Sequence, residues 1–273
     1  MQAKRALALA TLLQVAALPA VAEEEMPVDL ELVLAVDVSG SVDEWEARQQ
    51  RDGYVAAISD PSVLQAIRSN FHGRIAVTYV EWSGSDQQQV LMPWQAIGDA
   101  ASAGMFATEL AARPLTRRMY TSISHAIDYA VPLFDDNGYA GERRVIDVSG
   151  DGPNNRGRPI GEARAAALDR GITINGLPIL NDRPQPWAGP TPREMNLDRY
   201  YAEQAIGGPG SFIVVAEDFT AFKEAILTKL ILEIADRGHE AEYAPGTVVI
   251  VQGDFVFLMI RRPPRSTLFP YAP

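Results

Sequence analysis

Three oxygen-bearing side chains occupy alternate positions early in the chain: Asp37, Ser39 and Ser41. In extended or tightly turned backbone, this spacing brings the three side chains to one side, and Gly40 lets the backbone turn close to a bound ligand. Carboxylate and hydroxyl oxygens are the ligands that hard cations such as Mg²⁺ favour. The segment therefore indicates an all-oxygen site for a divalent metal.

The same segment also has a purely structural interpretation. Ser41 and Glu44 fit the S-x-x-E capping box, in which a serine closes the N terminus of a helix. Asp43 and Glu46 offer an equivalent cap two residues later, so Ser41 is not needed for that role. Metal binding and helix capping both stay open on this segment alone.

Short apolar runs alternate with helical patterns along the chain, which predicts an α/β fold. We expect a doubly wound, mostly parallel six-stranded sheet with helices on both faces. Pro93 places the third run at an edge of the sheet, as an antiparallel strand. The predicted strands are 30–36, 75–82, 90–94, 145–148, 172–179 and 212–216, and the helical patterns are 43–69, 99–112, 122–134, 160–170, 195–206 and 219–236. Ligands of such sheets bind at the carboxyl ends of the strands, where the Asp37 segment falls.

The Asp-x-Ser-x-Ser sequence after a buried first strand resembles the opening of the metal-ion-dependent adhesion site of von Willebrand factor A domains. The resemblance covers about 29–236 and implies the fold of that family. In the family, a Thr at the start of a later helix and an Asp after the fourth strand complete the site. The resemblance gives these roles to Thr121, which directly precedes a helical pattern, and to Asp151.

One departure from the family pattern concerns the last residue of the site. In the family, the fourth strand usually ends with Asp-Gly directly after a Thr or Ser, whereas Gly150 separates Ser149 from Asp151 here. Asp147 inside the strand is an alternative for the last site residue. Asp147 lies within an apolar run, where a charge is costly unless it is paired. Asp151 is therefore the favoured residue.

The resemblance also implies a function, an exported metal-dependent binding module of adhesion type that is not an enzyme. A protein partner would supply an Asp or Glu carboxylate to the open coordination position of Mg²⁺, with Mn²⁺ or Ca²⁺ as alternatives. Hydroxyls would ligate the ion directly, and carboxylates directly or through water. The implied metal set is Asp37, Ser39, Ser41, Thr121 and Asp151.

Two other functions remain as alternatives. A metal-assisted hydrolase would need a general base, for which Asp147 and His125 are the candidates, and a structural domain would hold the ion without a partner. No G-x-S-x-G, phosphate-loop or G-x-G-x-x-G motif follows a predicted strand. Trp187, in the Pro-rich segment 181–193, either contacts the partner or packs the loop.

The ends of the chain are expected to lie outside the domain. Residues 1–22 have the basic start, apolar run and small-residue exit of a signal peptide, which predicts a periplasmic or secreted protein that begins at Glu23. Residues 253–273 resemble translated sequencing-adapter DNA, so we expect this tail to be non-native and the domain to span 23–252.

The charge of the chain limits its partners. It has 24 Lys and Arg against 35 Asp and Glu, a net charge of −11. Without the two end segments, which hold five basic residues and one acidic residue, the net charge becomes −15. Such a domain repels phosphate backbones and anionic bilayers, so neither a nucleic-acid partner nor a membrane anchor is expected. The sequence contains no cysteine, and stability must come from the core.

Overall fold

The computed structural model of the chain describes residues 25–181, 196–235, 247–252 and 255–259. Within those ranges it contains ten strands. They are β1 (Met26–Val28), β2 (Leu30–Asp37), β3 (Ile75–Trp82), β4 (Gln88–Ile97), β5 (Tyr139–Gly141), β6 (Arg144–Gly150), β7 (Thr173–Pro178), β8 (Phe212–Val215), β9 (Thr247–Gln252) and β10 (Phe255–Met259).

The main sheet has the order β10-β9-β8-β7-β6-β2-β3-β4, and β1 pairs with β5 in a small separate sheet. The six predicted strands are all present as β2, β3, β4, β6, β7 and β8, and every pair among them is parallel except β3–β4. Pro93 lies in β4 at the edge of the sheet, as predicted. The hairpin β9–β10 adds two strands at the opposite edge, beyond the predicted six.

Seven α-helices cover the sheet in the described residues. They are α1 (Glu44–Ile58), α2 (Pro61–Ser69), α3 (Ala100–Ala112), α4 (Ile123–Ala130), α5 (Ile160–Leu168), α6 (Leu197–Tyr200) and α7 (Phe222–Ile234). The predicted helical segment 43–69 divides at Asp60, which caps α2, and Pro61 opens the new helix. Asp43 and Glu46 form the capping box of α1, so Ser41 is not used as its cap.

The central strand β2 shows why both faces of the sheet are covered. Its side chains alternate, so Leu32 and Leu34 enter one apolar layer and Val33 and Ala35 enter the other. Helices α1, α2, α3 and α7 supply the first layer, and α4, α5 and α6 supply the second. All eight residues of β2 are buried, as expected for a parallel strand with helices on both sides.

The strand order reverses next to β2. The chain proceeds outward from β2 through β3 to β4 on one side, and from β6 through β7 to β8 on the other. The carboxyl ends of the adjacent strands β2 and β6 therefore form the switch point at which open α/β sheets bind ligands. Asp37 ends β2, and Asp151 directly follows β6.

No helix in the described ranges is long and apolar enough to cross a membrane. The signal-peptide segment 1–22 lies outside the described residues. Of the tail 253–273, the structure describes only β10, for which the sequence predicted no strand. Its non-native origin stays a prediction.

Candidate metal centre

The centre begins at the end of β2, where Asp37 is fully buried. Its Oδ1 accepts a hydrogen bond of 2.7 Å from the backbone N–H of Ser39. This bond spans two residues and fixes the turn that leads from the strand toward α1. The side-chain amide of Gln50 donates to the carbonyl of Asp37 at 3.3 Å, so α1 also holds the strand end.

Side chains from the loops after β2 and β6 meet directly. The hydroxyls of Ser39 and Ser41 lie 3.0 Å apart, and the Ser41 hydroxyl donates to Asp151 Oδ1 at 2.6 Å. Ser39 and Asp151 are buried, whereas Ser41 is partly exposed. The structure thus brings together the Asp-x-Ser-x-Ser segment and the favoured Asp151.

Thr121 lies next to this group, on the segment that leads into α4. A Cβ atom placed on Gly152 would be 3.7 Å from Thr121 Oγ1, which puts the hydroxyl beside the residue that follows Asp151. Asn155 fixes the position of Thr121: its Oδ1 accepts the Thr121 N–H at 3.0 Å, and its own N–H donates to the Thr121 carbonyl at 2.8 Å. Residues of three loops therefore converge at the switch point.

The two carboxylates of the centre are electrostatically costly without a cation. Burial, followed by the charge of Asp151, raises the pKa of Asp37 well above its usual value. Burial and the charge of Glu46 raise the pKa of Asp151 to about 6, although the hydrogen bond from Ser41 lowers it. Neither carboxylate forms an ion pair with any described residue.

The donor set fits a hard divalent cation. It consists of two carboxylates and three hydroxyls, and Asp37 Oδ2 is buried without a hydrogen-bond partner in the described part of the chain. A cation at this point would neutralise the carboxylates and use the open oxygen. Between residues 25 and 259, as far as they are described, no three His, Cys, Asp or Glu residues form a metal-binding group.

Asp147 points away from the hydroxyls of the candidate centre, toward Lys229. Its Oδ1 lies 2.7 Å from Nζ of Lys229, which also contacts Glu233 at 3.0 Å, and all three side chains are buried between β6 and α7. Lys229 thus partly offsets the expected cost of a buried charge at this position. His125 lies on α4 with Nδ1 2.9 Å from the Ser122 hydroxyl. Trp187 lies outside the described residues.

Several residues of the centre were not singled out from the sequence. Glu46 was considered only as a cap, yet its charge acts on Asp151, and its Oε1 accepts a hydrogen bond of 2.7 Å from Asn181. Asn155 follows Asn154 in a Gly-Pro-Asn-Asn sequence, a turn signal that indicated a loop but not its contact with Thr121. Tyr201 had no sequence signal that linked it to the centre, although its hydroxyl reaches the end of β6.

Comparison with known proteins gives one family match. The family model described as "Protein of unknown function (DUF1194)" matches residues 27–238. No curated protein matches the sequence.

Solved structures share the fold at low sequence identity. They include the pilus adhesin SpaC from Lactobacillus rhamnosus GG (TM-score 0.54, 15% identity, 76% of this chain and 30% of that chain). A von Willebrand factor type A protein from Catenulispora acidiphila matches with TM-score 0.52 and 14% identity over 76% of this chain and 43% of that one. Proximal thread matrix protein 1 from the mussel byssus is described with a zinc-occupied MIDAS motif. It matches with TM-score 0.55 and 12% identity over 86% of this chain and 66% of that one. The chain spans less than half the length of the first two, and the likeness shows a von Willebrand factor A fold.

Proposed function

We propose that this chain, which belongs to the DUF1194 family, is a metal-dependent protein-binding module. The observation that carries the proposal is the contact between two loops at the switch point. Ser41 joins Ser39 of its own loop to Asp151 of the other through hydrogen bonds of 3.0 and 2.6 Å. A cation would find these oxygens already gathered, at the place where the fold binds ligands.

The residues of the centre divide into two roles in this proposal. The hydroxyls of Ser39, Ser41 and Thr121 would ligate the ion directly, and Asp37 and Asp151 would act directly or through water. Because the direct ligands include three neutral hydroxyls, a bound Mg²⁺ would stay electrophilic and could accept an acidic side chain from a partner at an open coordination position. Mn²⁺ or Ca²⁺ could take the same position.

The solved structures support a binding function in their printed descriptions. One is a pilus adhesin, and another carries a MIDAS motif with zinc. The candidate bases for a hydrolase are engaged elsewhere, since Asp147 pairs with Lys229 and His125 contacts Ser122. We therefore propose binding rather than catalysis, by an exported protein with residues 1–22 as its signal peptide.

The first test measures metal binding to residues 23–252 freed of metal with EDTA. Calorimetric titration with Mg²⁺ or Mn²⁺ should give a dissociation constant in the micromolar to millimolar range, and the metal should raise the melting temperature. Asp37→Ala and Thr121→Ala should lose both effects. Thr108→Ala is the matched control, because the Thr108 hydroxyl is exposed and bonds only within α3. Equal metal-induced shifts in wild type and Asp37→Ala would refute the site.

The second test concerns the partner carboxylate. Immobilised peptides with a central Asp or Glu should retain the protein in Mg²⁺ and release it in EDTA, whereas the matched Asn or Gln peptides should not retain it. Ser41→Ala should prevent retention, because a hydroxyl ligand is lost. Retention that persists in EDTA would mean that the partner binds elsewhere on the surface.

A further inference from the structure

Gly150 brings a second polar group to Asp37. A Cβ atom at this position would lie 2.9 Å from Asp37 Oδ2 and 2.9 Å from the Tyr201 hydroxyl oxygen. Those contacts are closer than real Cβ atoms make, so only glycine allows both oxygens to approach the end of β6. The glycine that interrupts the expected Ser-Asp ending is therefore the residue that both the carboxylate and the phenol approach, and the charge of Asp37 acts on the phenol.

Tyr201 is held rigidly in this position. It opens the π-helical turn Tyr201–Ala205 directly after α6, and its side chain is fully buried. A Cβ on Gly176 of β7 would be only 2.7 Å from the Tyr201 ring. Two neighbouring strands thus each have a glycine where the tyrosine lies, one against its ring and one against its hydroxyl. Isolated π-turns of this kind are frequent at functional sites.

Both oxygens lack a partner within the described part of the chain. Asp37 Oδ2 and the Tyr201 hydroxyl are buried without a hydrogen bond. Each buried polar group without a partner lowers the free energy of unfolding. They are chemically complementary, since a phenol donates and a carboxylate accepts. Asp37 Oδ1 is already used by the Ser39 N–H, so Oδ2 is the oxygen left for a metal or its water. An oxygen with two lone pairs can serve the metal and the phenol together.

We propose that Tyr201 is a positioning residue of the metal centre, whose hydroxyl donates to Asp37 Oδ2, directly or through one water, and orients that carboxylate for the cation. The inference rests on the proposed function. It adds a phenol to the five side chains of the centre. Residues that hold a metal ligand in place typically contribute tenfold to a hundredfold in affinity.

The experiment titrates Mg²⁺ or Mn²⁺ into metal-free wild type, Tyr201→Phe and Tyr79→Phe, with melting curves in EDTA. Tyr201→Phe should bind metal about tenfold more weakly or worse. Its melting temperature in EDTA should not fall, because the Tyr201 hydroxyl has no hydrogen-bond partner among the described residues and its proposed bond to Asp37 Oδ2 is made when the cation binds. Tyr79→Phe removes another buried phenol, in the opposite apolar layer, and should keep the wild-type affinity within about twofold.

Each outcome separates this inference from the proposed function. Wild-type affinity in Tyr201→Phe would overturn the positioning role and leave the metal site intact. Parallel losses of affinity and of metal-free stability would reduce Tyr201 to a packing residue and also overturn the inference. Failure of the wild type to bind metal would overturn the proposed function itself. Gly150→Ala is a second variant, which should lower affinity because its Cβ displaces both oxygens while the phenol is kept.

Discussion

Single residues of the centre show a conflict between stability and binding. Asp37 is buried, its Oδ2 has no partner among the described residues, and the nearby charge of Asp151 raises its pKa. A carboxylate in this position destabilises the metal-free fold at neutral pH, because burial favours its neutral form. Such a residue is retained when a ligand uses it.

Asp37→Asn should therefore change stability and binding in opposite directions. The amide keeps the shape and an oxygen for the Ser39 N–H but carries no charge. At pH 7.5 in EDTA we expect the variant to unfold at a higher temperature, because the neutral amide avoids the cost of burying a charge. The same variant should lose the stabilisation by Mg²⁺, which thermal melts with and without metal can measure. A lower melting temperature in EDTA would contradict the electrostatic argument.

The sequence pointed to these residues by different routes. Asp37, Ser39 and Ser41 were proposed from their local spacing, whereas Thr121 and Asp151 came from the family resemblance. Tyr201 could not be found, because its role depends on two glycines in strands far from it in sequence, Gly150 and Gly176. Asp147 was expected to need a partner for its charge, but that partner, Lys229, lies 82 positions later and was not predicted.

Among the elements, α1 and α7 show how closely helices pack on the first layer. A Cβ on Gly53 of α1 would lie 2.8 Å from the Phe222 ring of α7. Phe222 is fully buried and also meets Tyr54 with ring centroids 5.5 Å apart. The glycine is thus required by the approach of the two helices, although glycine weakens a helix interior.

Replacement of two helix glycines by alanine should give opposite results. Gly104→Ala in α3 has nothing within 4 Å of the new Cβ, so the better helix propensity should stabilise the protein by about 0.5–1 kcal/mol. Gly53→Ala gains the same propensity but forces the Phe222 ring to move, and a net loss of about 1–3 kcal/mol is expected. Urea unfolding of both variants measures the difference. Equal stabilisation by the two changes would show that α1 and α7 can move apart freely.

The contact of β6 with α7 predicts a dependence of stability on pH. Burial raises the pKa of Asp147 to about 7, since the attraction of Lys229 only partly offsets it and Glu233 adds repulsion. Tyr54, from α1, also faces this carboxylate. The folded state holds a proton that the unfolded chain releases near pH 4, so this stabilisation is present below pH 4 and is lost as pH rises to about 7.

Asp147→Asn should therefore flatten the change of stability between pH 4 and pH 7. The variant has no carboxyl proton at this position, and Lys229 keeps its contact with Glu233. Melting temperatures in EDTA at half-unit pH steps provide the measurement. Asp37 and Asp151 shift in the same direction, so the slope should decrease without vanishing. An unchanged slope would mean that Asp147 is ionised throughout the range.

The elements themselves were largely predictable. The apolar runs predicted all six strands of the expected sheet, and Asp60-Pro61 predicted the break between α1 and α2. Two structural features could not be predicted from local sequence patterns. Residues 201–205 wind as a π-turn, since the sheet must accommodate Tyr201, and the hairpin β9–β10 depends on an open edge at β8. Both are consequences of tertiary packing.

For the whole molecule, net charge gives a reason why the proposed binding function would need a metal. A domain of net charge −15 repels an acidic partner, and the chain would need a local positive charge to reverse that effect. In the proposed function a divalent ion at the centre would supply it locally, because the ion offsets the two carboxylates and offers an open coordination position to a partner carboxylate. The binding face would then be set by the ion and the switch point rather than by a basic patch.

The far edge of the sheet allows a last prediction about the limits of the domain. β9 pairs in parallel with β8, and Val249 belongs to the first apolar layer, whereas β10 pairs only with β9. The family match ends at residue 238, before this hairpin begins. Loss of β10 should therefore leave the core unchanged, and loss of β9 should expose part of it.

Chains that end at Gln252 and at Ala235 should differ in stability but not in metal binding. Ending at Gln252 should lower the melting temperature by a few degrees at most, whereas ending at Ala235 should cost about 1.5–3 kcal/mol for the burial of Val249 alone. Both should bind Mg²⁺ with the same affinity, since β6 and β2 are separated from this edge by β7 and β8. Melting curves and calorimetry on the two chains test this. A large loss of stability on removing 253–273 would show that β10 is an integral strand and that the tail belongs to the domain.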